Sequence, residues 1–229
     1  VKCTSGFPVA NAIKVYDLGV QPYEPVWLSM RTFTRSRQPD TEDEIWLLQH
    51  EAVYTQGQAG RAEHVRKTLG IPLVKSDRGG QVTYHGPGQI VLYPLLDIRR
   101  LGLNTRQLVN LLEQTAITML ADLGLSAHSR SDAPGVYVSG AKIASLGLRI
   151  HKGRSYHGLS LNVDMDLQPF DRIDPCGMAD LRVVQLKDFV KIEPAKAGYL
   201  LAKSMARALG RKPLVQKRAL EGFRVSPQI

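Results

Sequence analysis

The chain has 229 residues, 43% of them hydrophobic, with 30 basic against 21 acidic side chains and a formal charge of +9. That length suits one domain able to bury roughly 70% of its unfolded surface, which excludes disorder as a description of the whole. Two cysteines, Cys3 and Cys176, are too few for a disulfide framework or a four-cysteine zinc cage, and a reducing cytoplasm is the expected compartment.

The longest uncharged stretch, 79–96, contains four glycines, two prolines and a histidine, so no membrane span is expected. The first ten residues lack the pattern of a secretory signal. The charge is uneven: 1–181 carries 19 basic and 18 acidic residues, whereas 182–229 carries 11 and 3. The surplus belongs to the C-terminal part.

Residues 13–18 alternate apolar and polar as a strand does, and Pro22 can open a helix through Trp27, Leu28, Met30 and Phe33 toward Arg37. Short strands are expected at 45–48, 52–54 and after Pro72 to Lys75, with loop at 56–60. Strands at 82–84 and 90–96 are joined by His85-Gly86-Pro87-Gly88, where a tight turn needs special backbone angles. Asn104 is the N-cap of the strongest helix, with Leu108, Leu111, Leu112, Thr115, Met119 and Leu123 at helical spacing until Gly124 stops it. Strands follow at 135–138, 141–150 and 157–165, then a second amphipathic helix at 194–209. Strands clustered between few helices predict an α+β fold, a mixed β-sheet packed with helices, in one catalytic domain spanning 1–229 with a core of about 13–210 and a basic tail at 211–229.

Cys176 lies in Asp174-Pro175-Cys176-Gly177, a loop context in which a thiol can meet a substrate; a small inert buried cysteine is the alternative. Cys3 has no such setting. Lys142 shares the even-numbered face of its strand with Ala144, Leu146, Leu148 and Ile150, so it either snorkels out at the strand end or is buried with a partner. Gly79, Gly80, Gly86 and Gly88 flank 81–85 and allow backbone to approach a ligand, or simply shape an irregular hairpin. No Walker loop, dinucleotide fingerprint, zincin helix or nucleophile elbow occurs, and His151, His157 and Cys176 make no metal-ligand pattern.

The run Arg78-Gly79-Gly80-Gln81-Val82-Thr83-Tyr84-His85-Gly86-Pro87-Gly88-Gln89 resembles the signature of the lipoyl (octanoyl) transferases. The stretches 46–60 (WLLQHEAVYTQGQAG), 140–149 (GAKIASLGLR) and 157–163 (HGLSLNV), leading to Pro175-Cys176-Gly177, extend the resemblance over about 13–190, with Ala52 where the family often has proline. The resemblance implies the fold of the biotin and lipoate protein ligases. It also implies passage of an octanoyl or lipoyl group from an acyl carrier protein thioester to the acceptor lysine of lipoyl domains of 2-oxoacid dehydrogenases and of the glycine cleavage H protein, without a cofactor or metal. Cys176 matches the family's acylated cysteine and Lys142 its acid/base partner. Family substrate contacts map onto Arg78, Gly79, Gly80, Gln81, Val82, Thr83, Tyr84 and His85, onto Ser145, Leu146 and Gly147, and onto Gly158, Leu159 and Ser160.

The chemistry is physically coherent. Lowering a thiol pKa from about 8.5 to about 7 is worth roughly 2 kcal/mol of thiolate stabilisation, and a lysine that accepts the proton supplies it. Gly158, Ser160 and Asn162 share a strand face that leaves a groove for a linear chain, and burying an octanoyl tail contributes on the order of 5 kcal/mol. One rival is an ATP-dependent lipoate or biotin ligase, which does not need the thiol. The other is a basic nucleic-acid-binding module, disfavoured because 207–224 has no interleaved aromatic before Phe223. The basic surplus is instead expected to steer acidic carrier proteins, or to be an ordinary solvated face, with no nucleic acid or membrane partner.

Overall fold

The computed structural model describes residues 11–175 and 181–220; Cys3 and Cys176 both lie outside them. Eight strands form the main sheet: β1 (Ala12–Gln21), β2 (Glu44–His50), β6 (Gln89–Leu95), β7 (Ala127–Ser129), β8 (Gly135–Val138), β9 (Ala141–His151), β10 (Arg154–Asn162) and β11 (Lys212–Lys217). Their order is β11-β1-β2-β6-β10-β9-β8-β7, with β1 parallel to both its neighbours and the remaining pairs antiparallel. A smaller sheet, ordered β4-β3-β5, holds β3 (Val53–Gln56), β4 (Leu73–Lys75) and β5 (Val82–His85).

Three helices complete the α+β architecture. α1 (Tyr23–Ser36) lays Val26 and Met30 on Tyr16, Trp46, Val91 and Tyr93. On the opposite face, α2 (Thr105–Asp122) and α3 (Pro194–Ala208) pack Leu108, Leu112, Ala116, Leu201 and Met205 against Ile13, Ile45, Leu92, Ile143 and Leu161. β6 is buried along its whole length because both layers cover it. α2 opens with a capping box in which the Asn104 side chain accepts from the Gln107 N–H and the Gln107 side chain accepts from the Asn104 N–H, satisfying two otherwise orphaned donors. Among the described residues no helix is long and apolar enough to cross a membrane.

Three sequence expectations change. The 212–217 stretch is not tail but the edge strand β11, running parallel to β1 from Ala12↔Lys212 to Asp17↔Lys217. β10 opens at Arg154 rather than at residue 157 and closes at Asn162 rather than at residue 165. Lys142 does not share its neighbours' face: Tyr137 pairs with Lys142 while Val136 pairs with Ala144, so β9 carries one extra residue there and the alternation breaks. Ile143 and Ala144 both enter the core, and Lys142 turns instead toward the Tyr137 ring.

The β6–β10 ladder is interrupted. Pairing runs from Asn162↔Gln89 to Leu159↔Leu92 and resumes with the Ser155 N–H bonding to Leu96. Between them, Pro94 has no N–H to give, and His157 stands at φ 58°. The Ser155 hydroxyl bridges the gap, donating to the Pro94 carbonyl at 2.6 Å and accepting from the Leu96 N–H at 3.1 Å.

Candidate active site

β5 and β6 lie in different sheets rather than in one hairpin, and the Arg78–Gln89 signature that runs through both faces β9 and β10. Its turn requires Gly88, at φ +86°, because a Cβ there would fall on the Asp164 carbonyl. Arg78 is fixed by backbone and side-chain acceptors alike: its guanidinium donates to the Thr55 hydroxyl at 3.0 Å and to the carbonyls of Thr55, Gly79 and Gln81 at 2.5, 2.9 and 2.6 Å. Thr55 then donates to His85 Nε2 at 3.3 Å, and His85 Nδ1–H donates to Gln89 Oε1 at 2.6 Å. Gln89 donates to Asn162 Oδ1 at 2.9 Å, and Asn162 donates to the Val184 carbonyl at 3.0 Å. The chain is directionally consistent only with the Nδ1–H tautomer of His85. Its far end is the Val184 segment, whose N–H bonds to the Lys142 carbonyl at 3.0 Å. His85 therefore acts as a link in a buried polar relay.

A second polar cluster centres on Asp77. Its Oδ1 accepts from Trp27 Nε1 at 2.7 Å and from His157 Nε2 at 2.9 Å, and its Oδ2 accepts from the Tyr156 hydroxyl at 2.5 Å. Burial works upward on the Asp77 carboxyl, and these three donors outweigh it and hold the group well below the usual carboxylate range. The left-handed His157 lets two consecutive β10 side chains reach one carboxylate, which an extended strand forbids.

Between these clusters lies a cleft with about 550 Å³ of open space including its mouth. Its wall brings together Arg78, Gly80, Gln81, Val82, Thr83 and His85 from the signature, Ser145, Leu146 and Gly147 from β9, and Gly158, Leu159 and Ser160 from β10. Of the substrate contacts implied by the resemblance, Gly79 and Tyr84 do not line it. The Gly79 N–H bonds to the Leu148 carbonyl at 2.9 Å, and Tyr84 packs between Tyr54 and Phe170 in a separate cluster. Tyr23, Val91, Tyr93, His157 and Pro175 complete the wall.

Lys142 is 1% exposed. It lies three residues along β9 from Ser145, a span of about 10 Å. Its Nζ donates to the Pro134 carbonyl at 3.0 Å and sits 5.3 Å from the Tyr137 ring centre. Gly135 fits against this lysine only because it lacks a side chain, since a Cβ there would be 2.8 Å from Lys142 Cε. The Lys142 N–H bonds to the Arg182 carbonyl at 2.8 Å. The approach to Cys176 is pinned from the other side: the Arg66 N–H bonds to the Arg172 carbonyl at 2.9 Å, the Asp174 N–H bonds to the His64 carbonyl at 2.9 Å, and Arg66 pairs with Asp174 at 2.5 Å. Pro175 then reaches the cleft.

A family model described as the lipoyl protein ligase A/B catalytic domain matches residues 21–205. The chain belongs to that family. It is 65% identical over 172 residues to an octanoyltransferase of Pseudomonas putida (strain W619), covering 75% of this chain and 80% of the relative. Over 209 residues it is 56% identical to an octanoyltransferase of Hahella chejuensis, covering 91% and 93%. The fold matches a crystal structure of lipoate-protein ligase A bound with ATP at TM-score 0.77 and 16% identity, covering 93% of this chain and 92% of that one. Biotin protein ligase from Aquifex aeolicus follows at TM-score 0.51 and 11% identity, covering 86% and 68%. These solved structures share the fold, and the resemblance read from the sequence meets the same family.

Within this member of the lipoyl protein ligase A/B family, Tyr23, Asp77 and Tyr93 carried no sequence signal. Their partners stand far away in the chain, as Trp27 and Tyr156 do for Asp77. His157 is legible as the first residue of the 157–163 stretch, and its bond to Asp77 is not.

Burial disfavours the charged form of three histidines around the cleft. Burial lowers His50 to about 4, and it also lowers His85 and His157. His50 accepts from the Tyr93 hydroxyl at 2.8 Å and donates to the Gln21 carbonyl at 3.0 Å. Each folded-state pKa is depressed, so the unfolded chain takes up protons first as pH falls through about 6.5. The stability they contribute is therefore complete above that pH and declines below it, by at most about 1.4 kcal/mol per pH unit for a histidine that stays neutral in the fold. Urea midpoints at pH 7.5, 6.5, 5.5 and 4.5 should fall in step; a flat series would mean that the histidines titrate in the fold as they do in the unfolded chain.

Proposed function

We propose that this protein is an octanoyltransferase that moves an octanoyl or lipoyl group from an acyl carrier protein thioester to lipoyl-domain lysines through Cys176. The acceptors are lipoyl domains of 2-oxoacid dehydrogenases and the glycine cleavage H protein. The observation that carries the reading is the pair of anchors around Cys176. Pro175, just before it in sequence, lines the cleft, and the carbonyl of Arg182, six residues after it, accepts the backbone N–H of the buried Lys142.

In the first step the Cys176 thiol gives its proton to Lys142 and the thiolate attacks the donor thioester carbonyl. The tetrahedral oxyanion collapses, the carrier's thiolate leaves, and the Lys142 ammonium protonates it. In the second step the acceptor amine attacks the Cys176 acyl thioester, its proton passes to Lys142, and the Cys176 thiolate is released. The cleft wall is suited to an unbranched chain: Gly80, Gly147 and Gly158 put no side chain into it, the Tyr93 hydroxyl and both His85 nitrogens are bonded to partners, and His157 Nε2 donates to Asp77. Arg78 shapes this wall and stays bound to its carbonyl acceptors.

Intact-protein mass spectrometry after incubation with octanoyl-acyl carrier protein tests the reading. Wild type and Cys3→Ala should gain one octanoyl group without ATP, and Cys176→Ala should gain none. An adduct that survives in Cys176→Ala, or transfer that needs ATP, overturns it and returns the ligase reading.

A further inference from the structure

We propose that Tyr23, the first residue of α1, is the end-stop of the cleft and sets the length of the acyl chain that the enzyme accepts. The proposal rests on the reading of the cleft as the acyl site and of Cys176 as the acylated residue, and adds a specificity-determining residue to it.

The cleft has a direction. Gly80 is exposed and Gln81, Thr83 and 145–147 are half-buried, whereas Tyr23 and Tyr93 are 3% exposed and Val91 and His157 1%. The rim therefore lies along β9 and the signature, and the closed end lies over β6, with β10 between them. Gly147 pairs with Gly158 across β9 and β10, so the row that crosses the cleft carries no side chain on either strand. From β9 over β10 to β6 is two strand spacings, about 10 Å. An extended eight-carbon chain, with carbon–carbon bonds of about 1.5 Å at tetrahedral angles, is about 9 Å long. The two lengths match, so the group that stands at the β6 end decides whether a longer chain fits.

Tyr23 stands there as a fixed plate. Its ring is nearly parallel to that of His85, 6.0 Å away at 9°, and to that of His157, 6.5 Å away at 14°. These histidines line the cleft from β5 and β10, and the tyrosine ring bridges the two walls. His50 meets the ring edge-on at 5.1 Å and Trp27, one turn along α1, lies 6.3 Å away; neither lines the cleft, so both back the plate. The Tyr23 hydroxyl is hydrogen-bonded to the Ser76 hydroxyl at 2.8 Å, and the Trp27 indole donates to Asp77 at 2.7 Å. A chain longer than the cleft has to displace a packed and tethered ring, which a dense interior resists. Among the described residues of the wall, Tyr23 is the one contributed by an α-helix, so it can be changed without touching the sheet that forms the rest.

The test is competition between octanoyl- and dodecanoyl-acyl carrier protein at equal concentration, read at early times as the ratio of the two adduct masses on the full chain. That ratio is the ratio of kcat/KM values; loss of folded protein lowers both adducts together and leaves it unchanged. Wild type is expected to favour octanoyl by at least about 10-fold, and Tyr23→Ala to shift the ratio toward dodecanoyl by about 10- to 200-fold, the range for a methylene admitted or refused by an apolar pocket. Tyr23→Phe keeps the ring and should keep the wild-type ratio. Equal loading of both chains by wild type, an unmoved ratio in Tyr23→Ala, or an equal shift in Tyr23→Phe overturns the proposal. Should Tyr23→Ala fail to fold, Tyr23→Leu is read the same way: the ratio moves in the same direction by a smaller factor, and an unmoved ratio overturns it. Absence of any adduct on wild type would instead remove the reading beneath the proposal.

Discussion

Lys142→Met is expected to lower single-turnover octanoyl transfer by about 100- to 10,000-fold, the range associated with losing a positioned proton carrier. Methionine keeps an unbranched stem of similar length, so the space between Pro134, Gly135 and Tyr137 stays filled. Removing a charge from a site 1% exposed often leaves stability unchanged or improved. The measurement is therefore two-fold: acylation rate by quenched mass spectrometry, and thermal unfolding by circular dichroism. A folded Lys142→Met enzyme that transfers within a few-fold of wild type would reduce the lysine to packing. A variant that unfolds at ordinary temperature would assign it a structural role.

Asp43→Ala is expected to cost about 3–5 kcal/mol of stability, the largest effect anticipated from a substitution outside the site. Its carboxylate is wholly buried and accepts from Arg37 and Arg100 at 2.7 Å each and from Arg211 at 3.0 Å. The Asp97 N–H adds a fourth bond at 2.8 Å. These arginines come from the end of α1, the turn after β6 and the start of β11, so one carboxylate ties three distant parts of the chain together. Burial alone would raise its pKa; the Asp97 N–H and the arginines overcome that and depress it. Its contribution is consequently present at neutral pH and lost as pH falls below the ordinary carboxylate value. Urea denaturation of Asp43→Ala at pH 7 checks the magnitude. A loss below 1 kcal/mol would mean that solvent reaches the arginines and compensates them.

Much of this fold is legible locally. The N-cap at Asn104, the glycine-proline turn at 85–88 and the helix opened by Pro22 each announce themselves within a few residues, because caps and turns are short-range physics; that the strands on either side of the turn enter different sheets does not. β11 does not: Leu214 and Val215 are 50% and 43% exposed, no buried alternation marks the strand, and only pairing with β1 makes it one. The orientation of Lys142 was misread for a related reason. A bulge depends on the partner strand, and periodicity within β9 cannot reveal that β8 is one residue shorter between the same two pairs. The signature residues around the cleft were found through their resemblance to a family. The supporting shell of Asp77 and Tyr93 was not, since a buried polar side chain acquires its meaning from partners that the chain brings back from elsewhere.

The order of the strands also alters the meaning of the C-terminal charge. Contiguous in sequence, the basic residues of 182–218 are scattered in space. Arg182 adjoins Lys142, Arg207 pairs with Asp122 at the end of α2, Arg211 is consumed by Asp43, and Lys212 and Lys217 stand on β11. Five strand spacings, roughly 24 Å, separate β11 from β9. At physiological ionic strength the Debye length is about 8 Å, so charges this far apart act as independent points rather than as one field. A run of like charge in the chain has become several unrelated electrostatic neighbourhoods, and of those named only Arg182 stands beside Lys142.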